Sequence, residues 1–417
     1  MLYTPAISPS YIGGFTPANY AFYDFFADAP QALLSAGHTK CKVTDFPFKS
    51  PHRSDTVLIG DSGGFQIAKD KWKADWADAN CPIAAKYRSD TLDWLDTNFD
   101  WYMTLDLPLS ILHEKKHYTA QQIIDGSKIN IDYWRKHGDP NKILNVLSGT
   151  KNQNETQRWF DEFSPYSDPN NEDYFKGYAL GGSCITDFRQ TLKTIRRLAD
   201  KNLLTTGHHL MHCLGVSTIW KAYVLFAIEE VIQERFNPAF LVTMDSASPF
   251  LIAAYGQIAW PMKMTPQGWV ISFQKVKFPD NNEDAGDWLR DVMDLEPLAG
   301  MFDGITCSSL CNAKGGQTTD GYSRVMRHNL QVYIDGLKIL RKIYDDGDEM
   351  PPQVLTKDTL VIQKNKLIFD LFDLPTHIPD AKNHLLKVIH AVLDAKTQSE
   401  AFQIIDTDNL LKEFRAK

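Results

Sequence analysis

From residue 56 onward the chain alternates short apolar runs with longer amphipathic segments. The runs are 56–60 (TVLIG), 101–106 (WYMTLD), 143–149 (ILNVLSG), 177–182 (GYALGG), 209–215 (HLMHCLG) and 240–245 (FLVTMD). Each has the length of a buried strand and ends in Gly or Asp. The segments between them carry apolar residues at helical spacing, such as Ile123, Ile124, Ile131 and Trp134, or Phe188, Leu192, Ile195 and Leu198. These predict helices over 120–137 and 187–201, and 217–236 reads as a third, opened by Ser217 and Thr218 as caps. Strands alternating with helices specify a parallel sheet. Six such units without a break favour a (β/α)8 TIM barrel, of class α/β, over an open doubly wound sheet. Residues 1–55, aromatic-rich and interrupted by Gly13-Gly14 and prolines, read as a loop-rich entry. Residues 255–278 read as a hairpin-like insertion, and 330–344 and 381–395 as helices of a tail. The expected organisation is a catalytic domain over 1–300, followed by a metal-type segment and C-terminal helices over 301–417.

A barrel gathers chemistry at the C-terminal ends of its strands. Those ends are Asp61, Asp106, Ser148-Gly149, Gly181-Gly182, Leu214-Gly215 and Asp245. Three carboxylates and three glycine-containing turns thus face one mouth. The first of these ends opens the stretch Asp61-Ser62-Gly63-Gly64-Phe65-Gln66, which combines an acid, bare backbone, an aromatic face and an amide. That set suits a planar heterocycle with polar edges. A strand followed by a Gly-Gly turn with an Asx bond accounts for it equally well.

A net charge of −8 excludes a globally basic nucleic-acid binder, so a polyanion would have to meet a local basic face. Lys40, Lys42, Lys49 and Arg53 read better as a solvated loop than as such a face. No apolar stretch has the length of a membrane span, and Met1-Leu2-Tyr3-Thr4-Pro5 has the character of no secretory signal. The six cysteines, at 41, 81, 184, 213, 307 and 311, form no disulfide framework and suit a reducing cytoplasm. Cys307 and Cys311 alone are close enough to invite a metal reading.

A carboxylate at a barrel mouth can attack an anomeric carbon, move a proton or read N–H donors on a base. Two of them flanking a glycosidic bond permit double displacement with retention. These residue types leave two reactions open: sugar hydrolysis and glycosyl transfer at a nucleoside.

The motifs themselves point further. Asp61 to Gln66 resembles the signature of the guanine transglycosylases, enzymes that exchange bases in nucleic acid. Leu105-Asp106-Leu107-Pro108 resembles the base-reading segment of the archaeal-type members. Tyr178-Ala179-Leu180-Gly181-Gly182, the strand 210–216 and Met244-Asp245-Ser246-Ala247-Ser248 resemble, in order, the glycine pair, the apolar lid and the nucleophile segment. The resemblance spans roughly residues 56–330. It implies a pentosyltransferase on a TIM barrel, replacing guanine by a 7-deazaguanine such as the 7-cyano form (preQ0). It implies Asp245 as nucleophile at C1′ and Asp61 as general acid/base and base contact. Asp106 would hold the N–H edge of the base, Phe65 and Leu214 would sandwich the ring, and Gly181 and Gly182 would offer backbone contacts. Ser62, Gln66, Ser148, Gly149 and Gly215 complete the implied substrate-binding set. No organic cofactor is implied.

Two departures stand out. Ser148-Gly149 replaces the glutamine-glycine usual in the family, which alters one base contact. The family's zinc site uses three closely spaced cysteines and a histidine, whereas this chain offers Cys307, Cys311 and His328-Asn329. Structural zinc, which takes four ligands, is expected there with its fourth ligand unassigned. The archaeal-like motifs occur without room for a long RNA-binding extension, a combination similar to the DNA-guanine transglycosylases of phage and bacterial DNA-modification systems. DNA is therefore the expected polymer and tRNA the alternative. A non-catalytic nucleic-acid-binding partner subunit is disfavoured by the presence of Asp245. Lys314, Arg324 and Arg327 are phosphate-contact options, with ordinary solvated charge at least as good an account. A homo-oligomer or a helper protein is compatible with all of this.

Overall fold

The computed structural model describes residues 1–7, 31–43, 48, 53–109, 111, 118–216, 221–254, 257–259, 263–265, 268–270, 273–275, 319–346, 381–409 and 411. Eight parallel strands close into a barrel in chain order: β1 (Leu2–Ile7), β2 (Gln31–Ser35), β3 (Val57–Asp61), β4 (Trp101–Met103), β5 (Ile143–Gly149), β6 (Gly177–Gly182), β7 (Leu210–Cys213) and β8 (Leu241–Ser246). The barrel closes by pairing β8 with β1, in a register that sets Thr4 beside Asp245. The last six strands are those the apolar runs predict.

The first two strands lie inside the segment read as loop, and this is a correction. Leu2–Ile7 carries Pro5, which cannot donate to a ladder and argues against a central strand. Gln31–Ser35 is too short to show a period. Pairing on both sides overrides these weak local signals. Beside Pro5, the Thr4 hydroxyl supplies a bond to the Met244 carbonyl at 2.9 Å.

The helices introduced here, in chain order, are α1 (Ala36–Thr39), α2 (Gly64–Ala68), α3 (Pro82–Asn98), α4 (Ala120–His137), α5 (Gln153–Phe163), α6 (Ser183–Thr186), α7 (Phe188–Asp200), α8 (Lys221–Arg235) and α9 (Ser248–Ala254). Helix α4 starts where a capping box fixes it. Thr119 Oγ1 accepts from the Gln122 amide, and Gln122 Oε1 accepts from the Thr119 amide. After α9 come the short strands β9 (Gln257–Ala259), β10 (Lys263–Thr265), β11 (Gly268–Val270) and β12 (Phe273–Lys275). They pair antiparallel, β10 with β11 and β9 with β12, as nested hairpins in the expected insertion.

Three further helices, α10 (Thr319–Asp346), α11 (Ala381–Asp394) and α12 (Gln398–Thr407), pack against the outside of the barrel. The Tyr344 hydroxyl donates to Glu230 on α8 at 2.8 Å. Arg196 on α7 reaches the carbonyls of Val392 and Leu393 at 2.8 and 3.0 Å, where α11 ends. Among the described residues no helix is long and apolar enough to cross a membrane.

The core has two layers. Leu33, Ile59, Met103, Leu144, Val146, Ala179 and Leu210 fill the lumen, drawn from six different strands. A larger cluster between sheet and helices includes Leu58, Tyr102, Leu147, Tyr178, Met211 and Val242, the alternate positions of the same strands. The two-residue period therefore tells which side chains point inward.

Candidate functional site

Continuing the inward period past the lumen cluster reaches Ser35, Asp61, Ser148 and Gly181 in one step and Leu214 in two, and Asp245 follows Thr243 on β8 in the same period. These are the ends of β2, β3, β5, β6, β7 and β8. They form the next layer up, at the mouth. A Cβ placed on Gly181 would lie 3.5 Å from Leu214 Cδ1 and 3.6 Å from Ser148 Oγ, so the glycine leaves a gap between the two.

The turn after β3 builds the first corner. Asp61 Oδ1 accepts from the Gly63 amide at 3.1 Å, which is the Asx bond expected of this stretch. Gly63 has φ +89°, and a Cβ there would meet the Gly37 nitrogen at 2.8 Å. Gly64 presses against the next acid: a Cβ on it would lie 3.0 Å from Asp106 Oδ1. The glycine pair thus lets α2 approach the Asp106 carboxylate. Ser62 is buried and donates to the Thr104 carbonyl at 2.9 Å, tying β3 to the end of β4.

Electrostatics couple the three carboxylates. Asp106 is 6 % exposed, and its pKa is pushed up to about 7, chiefly by burial and further by the charge of Asp61. Burial also raises Asp61, and Asp245 adds to the rise, while Ser35, the Gly63 amide and His38 oppose it. Asp61 is therefore the middle member of the group, sensed by Asp106 on one side and sensing Asp245 on the other. A carboxyl raised in this way can give and take protons.

Asp245 is held on one oxygen. Its Oδ1 accepts from the Gly215 amide at 2.7 Å and from His212 Nε2 at 3.2 Å. His212 is fully buried, and its Nδ1 lies in hydrogen-bond contact with the Thr243 hydroxyl at 2.7 Å. Among the described residues no hydrogen bond reaches Asp245 Oδ2.

The remaining expected contacts fall in two groups. Phe65 is 58 % exposed, and the Lys69 ammonium stands over its ring, 5.3 Å from the centroid. Gly149 and Gly182 meet backbone to backbone. Gly182 has φ +58°, and a Cβ there would lie 2.2 Å from the Gly149 carbonyl oxygen. Gln66 is buried and turned toward α1. Its amide N–H donates to His38 Nε2 at 3.0 Å, and its Oε1 has no hydrogen-bond partner among the described residues.

Cys307 and Cys311 lie outside the described residues. His328 is buried, and its Nε2 donates to the Ala259 carbonyl at 2.7 Å. Burial lowers its pKa. Among the described residues no three His, Cys, Asp or Glu side chains gather as a metal site.

Sequence reasoning omits His38, Ser35, His212 and Thr243. The last two were within reach of it. His212 stands two residues before Leu214 and Thr243 two before Asp245, so the two-residue period places them on the faces already assigned to the mouth. No family model and no curated protein matches the chain.

Proposed function

We propose that the chain is a guanine transglycosylase acting on DNA, exchanging guanine for a 7-deazaguanine base. The observation that carries the reading is the coupled set Asp61, Asp106 and Asp245, drawn from the ends of β3 and β8 and from the loop that follows β4. Asp245 has one oxygen held and, among the described residues, no hydrogen bond on the other, the arrangement a nucleophile needs.

In the first displacement Asp245 attacks C1′ opposite the guanine. A C1′–O ester forms, the C1′–N9 bond breaks, and guanine leaves with the bonding electron pair and takes a proton from Asp61. In the second, Asp61 recovers a proton from the incoming base, the base nitrogen attacks C1′, and the Asp245 ester bond breaks. Configuration is retained, and Asp61 and Asp245 return to their starting states. Burial holds Asp61 above the ordinary carboxylate range, which supports a proton-donating role. Asp106 would meet the N–H edge of the base, and Phe65 and Leu214 would cover its two faces. The guanine must leave the base stack to be reached.

Zinc belongs to the same proposal. Cys307, Cys311 and His328 would hold it, as a brace for the 301–417 segment. His328 already bonds Ala259 through Nε2. A cytoplasmic location fits the scattered thiols.

The test is release of labelled guanine from duplex DNA and from folded tRNA in the presence of a 7-deazaguanine. Release from DNA with incorporation of the new base supports the proposal. Release only from tRNA moves the same chemistry to the other polymer, and release without incorporation indicates hydrolysis.

A further inference from the structure

We propose that His212, locked by Thr243, is a positioning residue that fixes the Asp245 carboxylate with Oδ2 as the attacking oxygen. The inference rests on the reading of Asp245 as nucleophile and adds to it a residue pair that acts through it.

The geometry comes from β7 and β8. His212 and Thr243 are direct register partners on adjacent strands, and Asp245 follows Thr243 by two residues on the same inward face. The imidazole therefore lies below the carboxylate, between the lumen cluster and the mouth, with no exposed surface. Its two nitrogens have distinct partners. Nδ1 meets the Thr243 hydroxyl at 2.7 Å, and Nε2 meets Asp245 Oδ1 at 3.2 Å.

The tautomer follows from the donors available. A carboxylate oxygen accepts, so Nε2 must carry the proton. In the neutral ring Nδ1 is then a lone pair, and the Thr243 hydroxyl donates to it. Thr243 thereby selects the ring form that can hold Asp245. With the Gly215 amide also on Oδ1 at 2.7 Å, that oxygen is engaged twice. Rotation of the carboxylate would break both bonds. Oδ2 stays toward the mouth, which is the restriction on orientation that a displacement at carbon requires.

The test combines a spectroscopic and a kinetic readout on the full chain. In wild-type protein labelled with 15N-histidine, the ring resonances lost in His212→Gln identify His212. They are expected to show the Nε2–H form, and Thr243→Val and Asp245→Ala are each expected to shift them. An Nδ1–H ring in wild type overturns the proposal. The kinetic arm measures single-turnover formation of the covalent adduct with guanine-containing DNA. Thr243→Val and His212→Leu are expected to slow it about 10–100-fold with DNA affinity unchanged. Thr243→Ser, which keeps the hydroxyl, and His212→Gln, whose amide can donate from the Nε2 position, are expected to restore most of the rate. Thr243→Val is nearly isosteric and guards against loss of fold in His212→Leu. Adduct formation at the wild-type rate in folded Thr243→Val overturns the proposal. If wild type forms no adduct with DNA or tRNA, the functional reading fails, and the tautomer alone then decides the contact.

Discussion

Asp61 ends β3 and Asp106 lies in the loop that follows the neighbouring β4, and the charge of the first helps to keep the second protonated up to about pH 7. The sign of the linkage is opposite to that of a salt-bridged aspartate. A carboxyl whose folded pKa is raised binds its proton more tightly in the folded chain, so it costs stability as pH rises from about 4 to about 7, and the full cost persists above that. Asp106→Asn should therefore raise stability at pH 8 by on the order of 2–4 kcal/mol, with the gain vanishing near pH 4. Denaturant unfolding of both proteins at the two pH values checks this. A gain independent of pH would contradict the burial of the Asp106 charge. The same variant should lose base exchange.

Asp245→Ala should abolish the denaturant-stable adduct with DNA and lower base exchange about 10^4-fold or more. Gel separation after incubation with labelled DNA measures the first, and guanine release the second. Undiminished exchange would remove Asp245 from the mechanism.

Phe65 separates binding from folding. Its exposure means that Phe65→Ala should change stability by no more than about 0.5 kcal/mol. A base stacked on the ring is worth about 1–3 kcal/mol, so the same change should raise KM for the base or the polymer roughly 5–150-fold. Thermal melts and steady-state kinetics on one preparation read both quantities.

Gly182→Ala should destabilise by about 2–3 kcal/mol, because its φ of +58° is unfavourable to alanine and the added Cβ would meet the Gly149 carbonyl at 2.2 Å. A midpoint shift in urea checks it.

Glu229 is buried where three donors converge. Its Oε1 accepts from the Val242 amide at 2.9 Å, Oε2 pairs with the Met1 ammonium, and Arg341 lies 3.5 Å away. Glu229→Ala would leave buried positive charge uncompensated, with an expected loss of about 3–5 kcal/mol. A loss below about 1 kcal/mol in denaturant unfolding would show that the pairing is dispensable.

The legibility of this chain varies with the strength of local pattern. The strands from Val57 to Ser246 announce themselves because each is a run of inward and outward apolar residues closed by Gly or Asp. The period of Ile123, Ile131 and Trp134 likewise places α4 within its observed bounds, and the cap at Thr119 is added by the structure. Strands β1 and β2 do not announce themselves, because Pro5 removes a donor and five residues carry no period. Only pairing with distant neighbours makes them strands. At the site, acids at strand ends were visible as a set. The two-residue period puts His212 on the same face, but its role shows only with its partners on β8, since a histidine within an apolar run otherwise reads as a packed ring. Gln66 illustrates the converse: its motif suggests an open amide, yet the adjacent His38 occupies it.

The seam between β1 and β8 has a consequence for biosynthesis. Thr4 and Asp245 are neighbours in the closed wall, but about the first sixty per cent of the chain must be made before the second exists. A nascent chain past Asp106 but still short of Asp245 has the first two acids and lacks the third. The mouth is completed only when the earliest strand and the eighth meet. Products truncated before Asp245 would thus lack the carboxylate proposed as nucleophile.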